Sequence, residues 1–431
     1  VALVLPAVGT APVTPGVLTP WLRARFTTST GFIYDATSLL QTVNVTRGRS
    51  SQYEASISAA TCSCAFDDTK GVLDPDNTSS PLAGKLTLGP QSTTTFRVDL
   101  ATDTGWQALF TGPIDSLERS FTGGDYSQTQ ATFVDSTVEL ARHVPPADLV
   151  LPAELPGARI NRLLSTTSRS GFKWTSRALV APLAIDTGQK ILGAYTCDGT
   201  TSSWDIALGA AQAEDGLLYF DAAGVLTFHG QQRRLTNTVN WTLSDDGVHV
   251  PYESDLTLRI STDNTIVDAA VTTADKVTSI YGPGGASRAD DTKPVTGPSA
   301  DLTETSQIAG NITGASRARH LVTSRGTPKR NAPTVTVNAA PLVGTWTSGG
   351  QPTAWQVAVK AGIDDLVLLQ RTPSSGTPIS ELHWVEGATY DIAAGDHFTV
   401  SFNVSRADPL PPNGYWKFGV SYFGSHAALT W

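Results

Sequence analysis

The side chains that could carry chemistry are few and scattered. Seven histidines stand at 143, 229, 249, 320, 383, 397 and 426. None falls in the HxxxH or HExxH spacing that sets two imidazoles on one helical turn for a metal. His383 and His397 lie in strand-like runs and could face one another, the one pairing with a potential metal or proton-transfer role; satisfied structural histidines are the expectation. Neighbouring carboxylates occur at Glu214-Asp215, Asp245-Asp246, Asp290-Asp291 and Asp364-Asp365. A glycosidase needs two carboxyl groups about 5 to 10 Å apart around a sugar, whereas adjacent pairs in turns are common on any acidic surface, and no aromatic cluster flanks these. Asp74-Pro75-Asp76-Asn77 offers hard oxygen ligands without the spacing or closing Glu of a calcium loop, so a turn held by Asx hydrogen bonds is expected.

There is no GxSxG, no P-loop and no dinucleotide fingerprint, and Gly282-Pro283-Gly284-Gly285 lacks the helix that would make it a phosphate cradle. Three cysteines cannot form a disulfide framework. Cys62 and Cys64, at i and i+2 of a strand, would share a face with side chains about 6 to 7 Å apart, too far for an unstrained bridge. Cys197 completes no zinc set. All three read as buried small apolar residues in a reducing cytoplasm. No catalytic, cofactor-binding or metal-binding residue is assigned, and the chain is not expected to be an enzyme.

The elements around these residues are mostly strands. At 431 residues there is room for roughly two to four domains. Gly, Pro, Ser and Thr abound and short alternating apolar runs recur, which predicts a mainly β protein with an α+β middle. A net charge of −9 argues against a stable hold on nucleic acid, which needs Lys and Arg gathered on one surface; DNA could only pass. Ten tryptophans lie mostly in alternating segments, where core or interface packing is the better reading than glycan binding.

Residues 1–20 are apolar, but prolines at 6, 12, 15 and 20 forbid a continuous helix, so neither a signal peptide nor a membrane span is expected; an extended arm is. Strand and turn follow over 21–142. In Ser92 to Leu100, Phe96, Val98 and Leu100 take one face and Thr95, Arg97 and Asp99 the other. A smaller α+β domain is expected over 143–250. It holds a helix at Ala158 to Leu164, a second capped by Ser202 or Ser203 and ending at Glu214, and a hairpin turning at Ala222-Ala223-Gly224. Residues 251–330 read as strands, a Gly/Pro-rich loop over 282–300, and a long helix. Asp301 and Glu304 form its capping-box pattern, and Leu302, Ile308, Ala318, Leu321 and Val322 lie on its apolar stripe. Strands return over 331–431, with Phe398, Val400, Phe402 and Val404 alternating. The fold class expected is two β-barrel-like domains flanking a smaller α+β region.

Several stretches, in order, carry a resemblance: Tyr34-Asp35, Val43 to Arg49, Phe66-Asp67-Asp68, Leu73-Asp74-Pro75-Asp76-Asn77, Leu109 to Ile114, Arg159 to Leu164, Ala211 to Phe228, Tyr281-Gly282, Asp365-Leu366-Val367 and Trp384-Val385-Glu386-Gly387. Together they resemble the baseplate-hub-like tail-tip and minor tail proteins of siphophages, particularly those of actinobacterial hosts. Asp67-Asp68 stands where the family usually has Asn, and the last hundred residues match more loosely. The resemblance implies a structural tail-tip hub of a long-tailed bacteriophage, assembled in the host cytoplasm and carried in the virion. It implies a homotrimeric ring joining the tail tube or distal tail protein to other minor tail proteins or fibres, closed around the tape-measure protein, with no stable membrane binding. The alternatives are a virion-associated cell-wall hydrolase and a peripheral carbohydrate-binding adhesin.

Purified protein should release no reducing sugar or amino group from host cell wall; zymogram clearing that disappears when one acidic residue is replaced would establish the hydrolase instead.

Overall fold

The computed structural model describes residues 21–28, 30–50, 57–89, 92–102, 105–121, 127–166, 183–236, 238–253, 256–260, 269–274, 276, 278–282, 285–289, 302–308, 317–318, 321–322, 330–339, 347–348, 351–393, 397–407, 415–416 and 428–429. The proposed N-terminal arm, His320, His426 and Asp290-Asp291 lie outside the described residues.

Twelve strands form one mostly antiparallel sheet. From the N-terminal part come β1 (Leu22–Thr28), β2 (Ile33–Asp35), β3 (Leu40–Gly48), β4 (Ser58–Asp67), β5 (Thr94–Thr102), β6 (Gly105–Phe121) and β7 (Ser127–Val134). The later chain adds β8 (Val239–Ser244), β9 (Thr334–Asn338), β10 (Leu366–Arg371), β11 (Ile379–Ala393) and β12 (His397–Arg406). The order is β8-β10-β11-β3-β4-β7-β6-β5-β1-β2, with β12 also on β11 and β9 on β12. Two separate barrels were expected; instead the sheet continues from one β-rich end into the other and its outermost strands are not paired with each other. The splice is β11. Its first part pairs β10 from Leu366↔Trp384 to Arg371↔Ile379, its second part pairs β3 from Gly387↔Gly48 to Ala393↔Thr42, and β12 runs along its other side.

Alternation explains why the splice holds. Phe398, Val400, Phe402 and Val404 of β12 are all buried, as are Phe26, Phe96 and Val98 of β1 and β5. A period-2 apolar face becomes a core as soon as neighbouring strands share register. Phe96 stacks on Phe133 with centroids 3.9 Å apart, and Phe26 and Phe66 complete that cluster. The same core continues into the C-terminal part. There Trp355, on helix Ala354–Lys360, meets Trp21 edge-on at 5.1 Å and Phe398 at 5.3 Å. Its indole N–H donates to the carbonyl of Ala101 at 3.0 Å, so a buried polar tip is satisfied while the ring is desolvated.

The middle region follows expectation closely. One helix covers Pro156–Ser165 and another Ser203–Ala213, the latter capped by Ser202, whose Oγ accepts from the Asp205 N–H. Leu217–Phe220 and Leu226–His229 form the expected hairpin. These elements bury a second core containing Ile160, Leu163, Trp204 and Phe228. Residues 251–330 differ from expectation. Leu302–Thr305 is a strand parallel to Ala269–Thr272, where a capped helix start was expected. The β-branched Thr305 suits a pleated surface, and pairing in the ladder overrides the capping-box pattern. Helical backbone is described only at residues 317–318 and 321–322, with Ala318 and Leu321 buried. Gly285–Ala289, expected in a loop, pairs Thr278–Gly282, because a ladder satisfies the polar backbone of both.

Close approach at the splice requires glycine. Gly48 has φ +94°, and a Cβ there would lie 2.3 Å from Gly387 Cα and 2.4 Å from the Glu386 carbonyl oxygen. Gly387 is equally confined, its Cβ falling 2.7 Å from the Arg49 carbonyl oxygen. Gly48→Ala should therefore destabilise the protein by about 2 kcal/mol or more, adding left-handed strain to a backbone clash; Gly31→Ala, at φ +79° with nothing near its Cβ, should cost less. Denaturant midpoints of the two variants check this ranking.

Candidate functional site: a buried charge junction

Glu386 sits in an irregularity of β11, where the register to β12 shifts between Val385 and Gly387. An extra residue in a strand re-aims its side chain, and here the carboxylate is fully buried. Arg49, just after β3, reaches it from the N-terminal part: Nε donates to Oε2 at 2.8 Å, and the backbone N–H of Arg49 donates to the Glu386 carbonyl at 2.9 Å. Arg234, on the short helix Gln231–Thr236, reaches it from the middle region, with Nη1 donating to Oε1 and Nη2 to Oε2, both at 3.1 Å. The same guanidinium donates Nε to Asp364 Oδ1 at 2.5 Å and lies over the Trp384 ring at 5.3 Å. Asp364 Oδ2 is 3.2 Å from His229 Nδ1.

The electrostatics follow from this geometry. Burial alone would raise both carboxyls; the guanidinium charges and their hydrogen bonds outweigh it and hold Asp364 and Glu386 below their ordinary values. Burial would likewise lower Arg234, but the two carboxylates push it well above the usual range. The junction is thus ionised and saturated. His229 is 7% exposed, edge-on to Tyr219, so its ring is closed off from a substrate. What the arrangement does is fix three stretches of chain against one another.

The other candidate residues are also in structural use. His143 Nδ1 is 2.7 Å from Ser203 Oγ, and His249 Nδ1 is 2.7 Å from Asp246 Oδ2. His383 and His397 do not face one another: His383 pairs with Arg406 and His397 with Ala393, at opposite ends of the β11–β12 ladder. Glu214 accepts the Gln189 N–H at 2.7 Å, Asp215 pairs with Lys190 and Arg317, Asp245 accepts the Thr372 N–H, and Asp365 accepts the Trp241 indole N–H at 2.9 Å. Asp74 accepts the Asp76 N–H at 3.0 Å in the expected Asx turn, and its other oxygen pairs with Arg119. The thiols of Cys62 and Cys64 are closer than expected, with Sγ atoms 3.5 Å apart, because both side chains lean together into the core; they are unbridged, as is Cys197. Among the described residues no group of His, Cys, Asp and Glu is arranged to hold a metal, and no helix is long and apolar enough to cross a membrane.

A tail protein from Neisseria meningitidis MC58 superposes with TM-score 0.55 at 12% identity, over 90% of this chain and 97% of that one. The 43 kDa tail protein of prophage MuSo2 from Shewanella oneidensis superposes with TM-score 0.52 at 12% identity, over 90% of this chain and 96% of that one. This chain shares the fold of these two tail proteins. No family model matches it, and no curated protein matches it in sequence. The likeness spans both β-rich ends and the middle, the parts that the charge junction ties together.

Arg49, Arg234 and the role of Glu386 were not assigned from sequence. Arg49 and Glu386 stand inside stretches that carried the resemblance, but nothing local signals a contact across more than 330 positions. Arg234→Met should cost about 3–5 kcal/mol at neutral pH by leaving two buried carboxylates under-compensated. The pH dependence has a definite sign. Because Asp364 and Glu386 are depressed from 3.8 and 4.5, their contribution is complete above those unfolded values and lost as pH falls through the lower folded ones. The gap between the wild type and Arg234→Met in chemical denaturation should therefore shrink below about pH 4; a gap independent of pH would assign the loss to packing on Trp384.

Proposed function

We propose that this chain is a structural component of a bacteriophage tail, and that it forms the hub at the tail tip of a long-tailed phage. The observation that carries the reading is the fold shared with two tail proteins, one of them from a prophage, over 90% of the chain. The saturated charge junction supports it: an axial ring under load needs domains locked together more than it needs a cleft. In this reading three copies surround the tail axis, and the β-rich segments 21–142 and 331–431 of each, joined in one sheet, build the ring. The tail tube or distal tail protein lies above, minor tail proteins or fibres lie outside, and the tape-measure end is enclosed. DNA passes through without being held, in keeping with the net charge of −9.

Reconstruction of intact tails decides the copy number; six copies, or one peripheral copy, would sink the trimeric hub. A stop codon at Arg330 removes β9 to β12 and with them the partners of β3 and β8, leaving sheet edges and apolar faces bare. Cells infected with such a phage should accumulate DNA-filled heads without tails, and normal tails in electron micrographs would show that the C-terminal segment is peripheral.

A further inference from the structure

We propose that the outer face of β1, β2 and β5 is a docking surface for the acidic turn after β8 of a second copy of this chain. The proposal rests on the tail-structural reading and names one contact within it.

Arg23 and Arg25 of β1 and Arg97 of β5 project from the side of the sheet opposite Phe26 and Phe96. All three converge on one fully buried carboxylate, Asp99. Its Oδ2 accepts from Arg23 Nη2 at 3.0 Å and Arg25 Nη2 at 2.9 Å, and its Oδ1 accepts from Arg97 Nε at 2.6 Å. Arg23 also lies over the Trp106 ring at 4.5 Å. Arg25 and Arg97 are direct cross-strand partners, an arrangement that repels unless a counter-charge sits between them. Asp99 is that counter-charge, but it neutralises only one of three. On the same face Asp35, opposite Arg25, has its Oδ1 taken by the Thr37 N–H. Three guanidiniums therefore meet two carboxylates. The arginine side chains remain 26%, 25% and 36% exposed, and Ile33 beside them is 54% exposed.

The complement lies at the other end of the sheet. Asp245 and Asp246 are exposed immediately after β8, with Val248 65% exposed in the same turn. The Asp246 Oδ1 accepts from the N–H groups of Val248 and His249, each at 2.9 Å, its Oδ2 lies 2.7 Å from His249 Nδ1, and Arg371 stands 3.6 Å from Asp245. Charge and an aliphatic side chain are thus paired at both ends with opposite sign. Seven strands separate β8 from β1, and the sheet's ends are not paired with each other, so the match is made between copies, head to tail. Heterologous contacts of this kind close into rings when the rotation allows. A phosphodiester backbone is the weaker occupant, since the guanidinium forks are partly spent on Asp99 and the chain as a whole is acidic.

Sedimentation velocity of the full chain tests the proposal. Arg97→Glu lowers the local charge by two yet leaves Asp99 held by Arg23 and Arg25 and puts a carboxylate opposite Arg25. Asp246→Asn removes the charge and keeps an oxygen for the turn's N–H groups. Each should weaken self-association by about tenfold or more; Asp246→Asn should do so with an unchanged melting temperature, while Arg97→Glu also takes the Nε donor from buried Asp99 Oδ1 and lowers it. The double variant should be no weaker than the worse single one, and wild-type association should fall between low and about 0.5 M salt. A monomeric wild type, association unaffected by Arg97→Glu, or single effects that multiply would overturn the pairing. So would retention of duplex DNA by the wild type that is lost in Arg97→Glu. A tail reconstruction with three copies whose contacts avoid Arg97 and Asp246 would discard this contact and leave the hub reading standing.

Discussion

Burying an ion in a protein interior costs several kcal/mol unless it is paired with good geometry, and this chain buries Glu386 and Asp364 where its three parts meet. That cost is a constraint on assembly as much as on stability. Glu386 is satisfied only when Arg49 from the first part and Arg234 from the middle are both in place. Hydrophobic burial drives the sheet together without direction, but the forked guanidiniums accept one arrangement. A one-residue slip would turn the apolar face of β12 to solvent and would part the junction as well.

The same constraint accounts for the glycines and the irregular strand. Glu386 must turn inward, so β11 departs from regular pairing there; the departing strand crowds β3, so Gly48 and Gly387 face each other across the splice. Side chains at either position would part the strands that deliver Arg49 to its partner. Sheet geometry, glycine placement and ion pairing form a single solution at one point of the fold.

The parts legible in the sequence were those whose cause is local. The Ser202 cap, the hairpin turning at Ala222-Ala223-Gly224 and the alternation of Phe398 to Val404 each depend on residues a few positions apart. Leu302–Thr305 was misread because a capping pattern competes with a ladder to Ala269–Thr272 that only the folded chain supplies. Asp99 was assigned to an outward face by period-2 reasoning, which is right about direction, but three arginines then cover it. The charge junction was invisible for the same reason: Asp364-Asp365 looked like a surface pair, and its partners at positions 229 and 234 lie far away in the chain. A continuous sheet in place of two barrels likewise depends on β3 meeting β11.

That meeting sets the order of events during synthesis. β3 ends at Gly48 and its partner begins at Gly387, so a ribosome must extend the chain by more than 300 residues before this edge can be covered. Elongation at about 5–20 residues per second leaves it open for tens of seconds, long compared with the microseconds in which a hairpin forms. β4, by contrast, emerges almost at once and can pair β3 on its other side. The nascent protein therefore carries a half-finished sheet through most of its translation. A crowded polysome making many copies gives each such edge a neighbour's edge to meet, which makes the timing of the last strands a matter of yield as well as of shape.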